Sequence, residues 1–214
     1  TFNTLGNFLF QITEGLSLDL GFGVNYSNSQ GKSFTRRLLT NNPSASRSFN
    51  ESIFLQNTNM LTYNRTFNAI HDITLTAVAE YQLQQNEGFS ASASNLLFPV
   101  LKYNNISLAE TYSISNSYTK STIGSYIGRI NYNLLNRYLV TASIRSDRSS
   151  KFRGNNQTGI FPSFGVGWRI SEENFMQGIQ WLSNLKLRAS WGQTGSQAID
   201  VFGTVTSYNT SAAD

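Results

Sequence analysis

The chain has 214 residues, of which 16 are basic and 12 acidic, for a formal net charge of +4; charged residues and aromatics each make up 13%, and cysteine is absent. Without cysteine there is no disulfide framework and no thiolate metal site. The modest basic excess has no long run, since Arg145, Arg148, Lys151 and Arg153 are interrupted by Asp147, so a nucleic-acid surface is not expected.

An average soluble domain is about 25% charged. Here Ser, Asn, Thr, Gln, Gly and aromatic residues fill that place, which points to β-structure with one wet face and one apolar face. No run of about 18 apolar residues exists for a helical membrane span, but strands of a membrane barrel alternate and never form such a run.

In chain order, a short alternating segment over 8–12 is followed by the turn TEGL at 13–16. Over 16–26 the apolar set Leu16, Leu18, Leu20, Phe22, Val24 and Tyr26 alternates with Ser17, Asp19, Gly21, Gly23 and Asn25. A weaker strand is expected over 53–63. Next comes 73–83, where Ile73, Leu75, Ala77, Ala79, Tyr81 and Leu83 oppose Glu80, Gln82 and their neighbours. Over 124–134, Tyr126, Ile130, Tyr132 and Leu134 oppose Ser125, Arg129, Asn131 and Asn133, with Ile127 as a mismatch. The same period of two runs through 138–147, 160–171 and 185–192. About eight antiparallel strands are expected.

The connections alternate in length. Tight turns at 13–16, 67–72 and 134–137 contrast with long polar stretches near 37–48, 90–117 and 147–158. Short turns at one end and long loops at the other suit a transmembrane β-barrel. Runs of ten residues or more match the roughly 9–11 needed to cross a bilayer at a tilt. A soluble carbohydrate-binding β-sandwich is the alternative.

The connection SEENFMQGIQWLSN breaks the short-turn rule. Ser171 is expected to cap a short helix with Glu172 and Glu173 in its first turn, and Phe175 and Met176 to tuck beneath the sheet end. A catalytic carboxylate pair is not expected, because no base, nucleophile or metal set accompanies it. His71 is the single histidine and lies at a turn, so it reads as structural. No catalytic residue, cofactor or metal site is assigned, and an enzyme is not expected.

Three segments, NRYLVTASIRSDRSSKF (136–152), GIFPSFGVGWRISEENFM (159–176) and WLSNLKLRASWGQTGSQ (181–197), resemble successive segments of SusC/RagA-type TonB-linked outer-membrane transporters. Arg148 stands where that pattern has glycine. The resemblance implies an all-β fold: an antiparallel transmembrane β-barrel segment, about eight strands of a larger, roughly 22-stranded plugged barrel. Residues 1–214 are then expected to be a partial barrel domain, with the plug, TonB-contact segment and remaining strands outside them. It further implies TonB-energised import of glycans or oligopeptides with a SusD-like surface lipoprotein, in the outer membrane of a Gram-negative bacterium.

With the apolar sets facing lipid, the interior candidates are Asp19, Asn25, Glu80, Gln82, Arg129, Asn131, Arg145, Asp147, Ser163, Arg169, Lys186 and Arg188. Arg129, Arg169 and Arg188 are expected to contact a plug. Phe98, Tyr103, Asn104 and Asn105 are the loop candidates for substrate or lipoprotein contact.

Overall fold

The computed structural model describes residues 1–36, 42–176 and 181–198. Part of the first long loop (37–41) and part of the 170–185 connection (177–180) lie outside them. Eight strands form: β1 (Phe2–Thr13), β2 (Leu16–Thr35), β3 (Ser44–Phe67), β4 (His71–Leu96), β5 (Ala109–Leu134), β6 (Tyr138–Ser149), β7 (Thr158–Arg169) and β8 (Lys186–Gly192). They make one sheet in sequence order, each strand beside the next. A two-sheet sandwich is therefore not what these strands build.

The strand count is as expected, but the strand lengths are not. β2 has 20 residues, β3 24, and β4 and β5 26 each. Most of 90–117, expected as a loop, is strand, and only 97–108 leaves the ladder. Residues 44–48 and 147–149 are also strand rather than loop. The ladder needs only backbone partners, so it continues where the apolar residues thin out to a few among Ser, Asn and Thr and the alternation fades.

The tight turns have a specific cause. Ile70 N–H donates to the Phe67 carbonyl across Asn68 and Ala69, and Arg137 N–H donates to Leu134 across Leu135 and Asn136. All four central residues have φ between 49° and 58°. Two positive-φ residues make the type I′ turn, whose twist matches that of a hairpin. Asn tolerates this conformation, while Ala69 and Leu135 carry a Cβ that costs about 1–2 kcal/mol there. Ala69→Gly is expected to raise stability by up to about 1 kcal/mol, read as a higher denaturant midpoint by tryptophan fluorescence in detergent.

By contact density the chain divides into two units. The first comprises Thr1–Leu5, Gly23–Leu55 and Leu83–Ser121; the second comprises Gly6–Phe22, Gln56–Gln82 and Thr122–Asp214. In the first, a small core of Ala45, Ala93 and Leu96 is packed by Phe34, Tyr103, Ile106 and Ala109. In the second, the described residues invert the usual arrangement. Its buried positions are Ser125 at 2% exposure and Ser149 at 3%, whereas Tyr126 is 70% and Trp191 65% exposed.

Register explains the inversion. Tyr132 pairs Val140, Ile130 pairs Ala142, Val140 pairs Val166, Ala142 pairs Phe164, and Phe164 pairs Trp191. Side chains of paired residues share a face. One face of β5–β8 therefore carries an apolar band, which gives way to Ser146 and Arg148 at the far end of β6, and the other carries the interleaved, mostly polar residues.

Pro162 fits this ladder without breaking it. Its carbonyl accepts from Gln193 N–H, so in an antiparallel strand its nitrogen points to the same side, toward β8. Pairing with β8 ends one residue away, at Ser163 opposite Gly192. The missing donor thus falls where the ladder no longer needs one.

Candidate functional site

The polar face of β5–β8 is the candidate site. In the second unit, Thr141 Oγ1 donates to Asn131 Oδ1 at 2.9 Å, and the hydroxyls of Ser143 and Ser163 are 2.7 Å apart. Arg145 Nε donates to both oxygens of Asp147 at 2.7 and 2.8 Å, and its Nη2 reaches Ser125 Oγ at 3.2 Å. Asp147 faces Ser125 in the register, and Arg145 lies between Ile127 and Phe161, two apolar residues on this face. The arrangement is a crosslinked polar wall with its central charge neutralised.

At the tight-turn end the wall changes character. Arg169 pairs Lys186 across β7 and β8, and Arg188 pairs Gly167. A Cβ on Gly167 would meet Lys186 Cε at 3.4 Å, so the lysine stem lies along the side-chain space that the glycine leaves empty. None of the three cations has an ion pair with a described residue, unlike Arg137, which pairs with Glu173, and Arg145, which pairs with Asp147. Arg129 stands apart, opposite Ser143. Like charges directly opposite are destabilising, so this corner is electrostatically incomplete.

Among the other interior candidates, Asp19 accepts from Asn7 Nδ2 at 3.2 Å. Glu80 accepts from Gln56 Nε2 at 3.2 Å and also from Gln82. In the first unit Ser52 Oγ donates to Asn86 Oδ1 at 2.8 Å, and Asn86 Nδ2 reaches Thr119 Oγ1. Gln56, Ser52 and Asn86 were not singled out from sequence; their parity with Glu80 was the available signal. His71 is half-buried, its Nδ1 2.7 Å from the Tyr132 hydroxyl and its ring stacked on that tyrosine, in keeping with a structural role.

The expected capped helix at SEENFM does not form. Two short 3-10 turns, Ile170–Glu172 and Asn174–Met176, take its place, and Arg169 rather than Ser171 precedes the first, without a side-chain cap. Phe175 is exposed rather than tucked under the sheet. Glu173 serves instead as a clamp. It accepts from Tyr138 Oη at 2.7 Å, Trp168 Nε1 at 2.9 Å and Arg137 Nη1 at 3.4 Å, tying the connection to the start of β6 and the end of β7. Its partners lie 5 to 36 residues away, so local helix-start chemistry does not decide its fate.

The Tyr138 hydroxyl, then the Trp168 indole and Arg137, hold the Glu173 carboxyl below the usual carboxylate range. A depressed folded-state value means that the clamp's contribution is present above the unfolded value and is lost as pH falls through the folded one. Acidifying through the carboxylate range is therefore expected to loosen this connection. Proteolytic nicking between β7 and β8 as a function of pH checks it, with Glu173→Gln nicked at every pH.

Of the loop candidates, Phe98 is exposed and Asn105 accepts from Ser107 Oγ at 2.7 Å. Tyr103 and Asn104 come together at a cavity of about 330 Å3 in the first unit. In the 150–157 loop, Arg148 reaches Gln157, which donates back to the Phe152 carbonyl. Among the described residues no group of three or more His, Cys, Asp or Glu side chains could hold a metal ion.

The family described as TonB dependent receptor-like, beta-barrel matches residues 1–213. The chain belongs to this TonB-dependent receptor β-barrel family. A relative, TonB-dependent receptor P39 of Formosa agariphila, is 32% identical over 97% of the chain. TonB-dependent receptor SusC of Bacteroides thetaiotaomicron is 54% identical over 38% of the chain. The solved RagAB peptide importer in its open-open state aligns over 94% of the chain with a TM-score of 0.82 and 25% identity. The chain spans 20% of the P39 receptor, 8% of SusC and 22% of the aligned RagAB chain.

Proposed function

We propose that this chain is part of the barrel wall of an outer-membrane transporter that imports glycans or oligopeptides, energised by TonB and paired with a SusD-like surface lipoprotein. The single observation that carries the reading is the inversion in the second unit, with serines buried and aromatics exposed along one face of four paired strands. Water-soluble proteins rarely expose a continuous apolar surface of more than a few hundred Å2. A bilayer removes that penalty, and the polar face then lines the interior.

In this reading Arg129, Asn131, Arg145, Asp147, Arg169, Lys186 and Arg188 face the lumen. Residues 1–214 lie within one barrel domain, and TonB acts through parts of the protein outside them. Phe98, exposed in the 97–108 loop, is placed to meet the lipoprotein. The SusC and RagAB relationships support the lipoprotein pairing, and the second favours peptides as cargo.

The test uses the full-length protein in cells. Uptake of labelled oligopeptides and oligosaccharides is measured with and without proton-motive force, and with and without the partner lipoprotein. Uptake that persists after the force is dissipated would make the protein a passive pore. A full-length product that is soluble and monomeric without detergent would remove the barrel reading altogether.

A further inference from the structure

The cavity in the first unit opens on an unexpected side. Strand alternation carries the parity of Val24 and Tyr26 in β2 up to Gln30, Lys32 and Phe34. The parity of Ile53 and Leu55 in β3 leads to Phe49, Arg47 and Ala45, and that of Leu83 in β4 to Phe89, Ala91 and Ala93. Contacts agree with this count. Tyr26 Oη donates to Glu51 at 2.9 Å, and Phe34 packs on the Ala45, Ala93 and Leu96 core. The opposite parity holds the polar chain Ser52, Asn86 and Thr119.

The 97–108 loop folds onto the first of these faces. Tyr103 and Ile106 pack against its alanines, and the cavity between loop and strands is lined by Lys32, Arg47, Phe49, Phe89, Tyr103 and Asn104. It therefore lies on the outward side of the strands and not over the interior.

Its chemistry is specific. Lys32 Nζ sits 5.8 Å from the Tyr103 ring centroid. Neither Lys32 nor Arg47 has an ion pair with a described residue. The carboxylates further along this face hydrogen-bond to other groups, Glu51 to the Tyr26 hydroxyl and Glu87 to the Gln85 amide, and neither forms an ion pair with Lys32 or Arg47. Two uncompensated cations in one cavity call for an anion, and a guanidinium beside an ammonium suits phosphate. Three aromatic rings around them offer flat apolar surfaces, and Asn104 offers an amide for hydroxyl groups.

We propose that this cavity holds the phosphorylated sugar headgroup of an outer-leaflet glycolipid, with Lys32 and Arg47 on the phosphate and the aromatic rings on the sugar. The inference rests on the membrane reading above. The lipid source is favoured over a free solute because the cavity shares a face with the exposed apolar residues Val24, Leu55 and Phe89, opposite the polar chain of Ser52, Asn86 and Thr119.

The experiment takes the full-length protein, extracted from outer membranes in mild detergent. Mass spectrometry measures the phosphorylated glycolipid retained per protein. Lys32→Ala with Arg47→Ala is expected to lower retention by roughly tenfold or more, since each lost charge-assisted hydrogen bond is worth about a factor of ten. Arg47→Lys is expected to keep part of it. Both positions are exposed, and a heat-modifiable gel shift verifies that each variant has folded.

Equal retention by wild type and folded double variant overturns the inference while leaving the transporter reading standing. Displacement of the glycolipid by inorganic phosphate at comparable concentration makes this a free-anion site and overturns the lipid assignment. A lipoprotein lost from the double variant at unchanged glycolipid makes it a protein-docking surface and overturns it likewise. A wild type absent from the outer membrane overturns the transporter reading and this inference with it.

Discussion

Val166→Arg in the full-length protein is expected to block outer-membrane assembly, leaving it in aggregates or degraded, while Thr141→Ser assembles normally. Val166 is 42% exposed and lies opposite Val140 and Ala189 in the middle of the apolar band. An arginine on the lipid face at the bilayer midplane costs about 2–4 kcal/mol. That is a large fraction of a margin that is typically about 5–15 kcal/mol. Val140→Arg, one strand over, is expected to behave the same way. Thr141 lies on the opposite face, where serine keeps the hydroxyl that reaches Asn131. Heat-modifiable mobility of outer-membrane fractions reads both outcomes. Normal assembly of Val166→Arg together with failure of Thr141→Ser would mean that the two faces are exchanged.

Much of this wall was legible in the sequence because one physical cause, alternation between an apolar and a polar environment, writes itself with period two. The paired sets of β5–β8 appear in the structure on the faces assigned to them, with Ile127 and also Leu139 and Phe161 as apolar residues on the polar face. Where that cause stops, legibility stops. The far halves of β4 and β5 alternate only sparsely, with Phe89, Ala91 and Ala93 or Tyr112, Ile114 and Tyr118 set among Ser, Asn, Thr and Glu, and read as loop, yet the backbone ladder continues through them. β3 read weakly because Asn57 and Asn59 interrupt the apolar parity of Ile53, Leu55, Leu61 and Tyr63. They are tolerated there because they bond to each other, with Asn57 also bonding the Gly21 carbonyl.

Long-range partners were hidden for a different reason. Glu173 has the local signature of a helix start, but Tyr138 and Trp168 reach it only after β6 and β7 pair. Tyr103 and Asn104 were legible as loop residues. The side of the sheet onto which their loop folds depends on the contact with Phe34, Ala45 and Ala93, and no local pattern encodes that contact.

Arg169→Glu combined with Arg188→Glu is expected to leave the full-length barrel in the membrane but open to ion flow. Further along the wall Arg145 is neutralised by Asp147 at 2.7 Å. At the tight-turn end Arg169 faces Lys186 directly, with Arg188 beside them and no carboxylate from a described residue. Carboxylates of a partner would relieve this like-charge corner. In the proposed transporter we assign that role to an interior plug. Removing one member of a desolvated charge pair typically costs about 2–5 kcal/mol, enough to loosen a domain held by a few such contacts. The barrel itself is expected to survive, because a carboxylate introduced at 169 would face Lys186 and form a favourable cross-strand pair. Single-channel recording in planar bilayers tests this. Wild type is expected to be closed and the double variant conducting, while Arg129→Ala, alone opposite Ser143, stays closed. A double variant that stays closed but needs more substrate for half-maximal uptake would assign these cations to cargo instead of the plug.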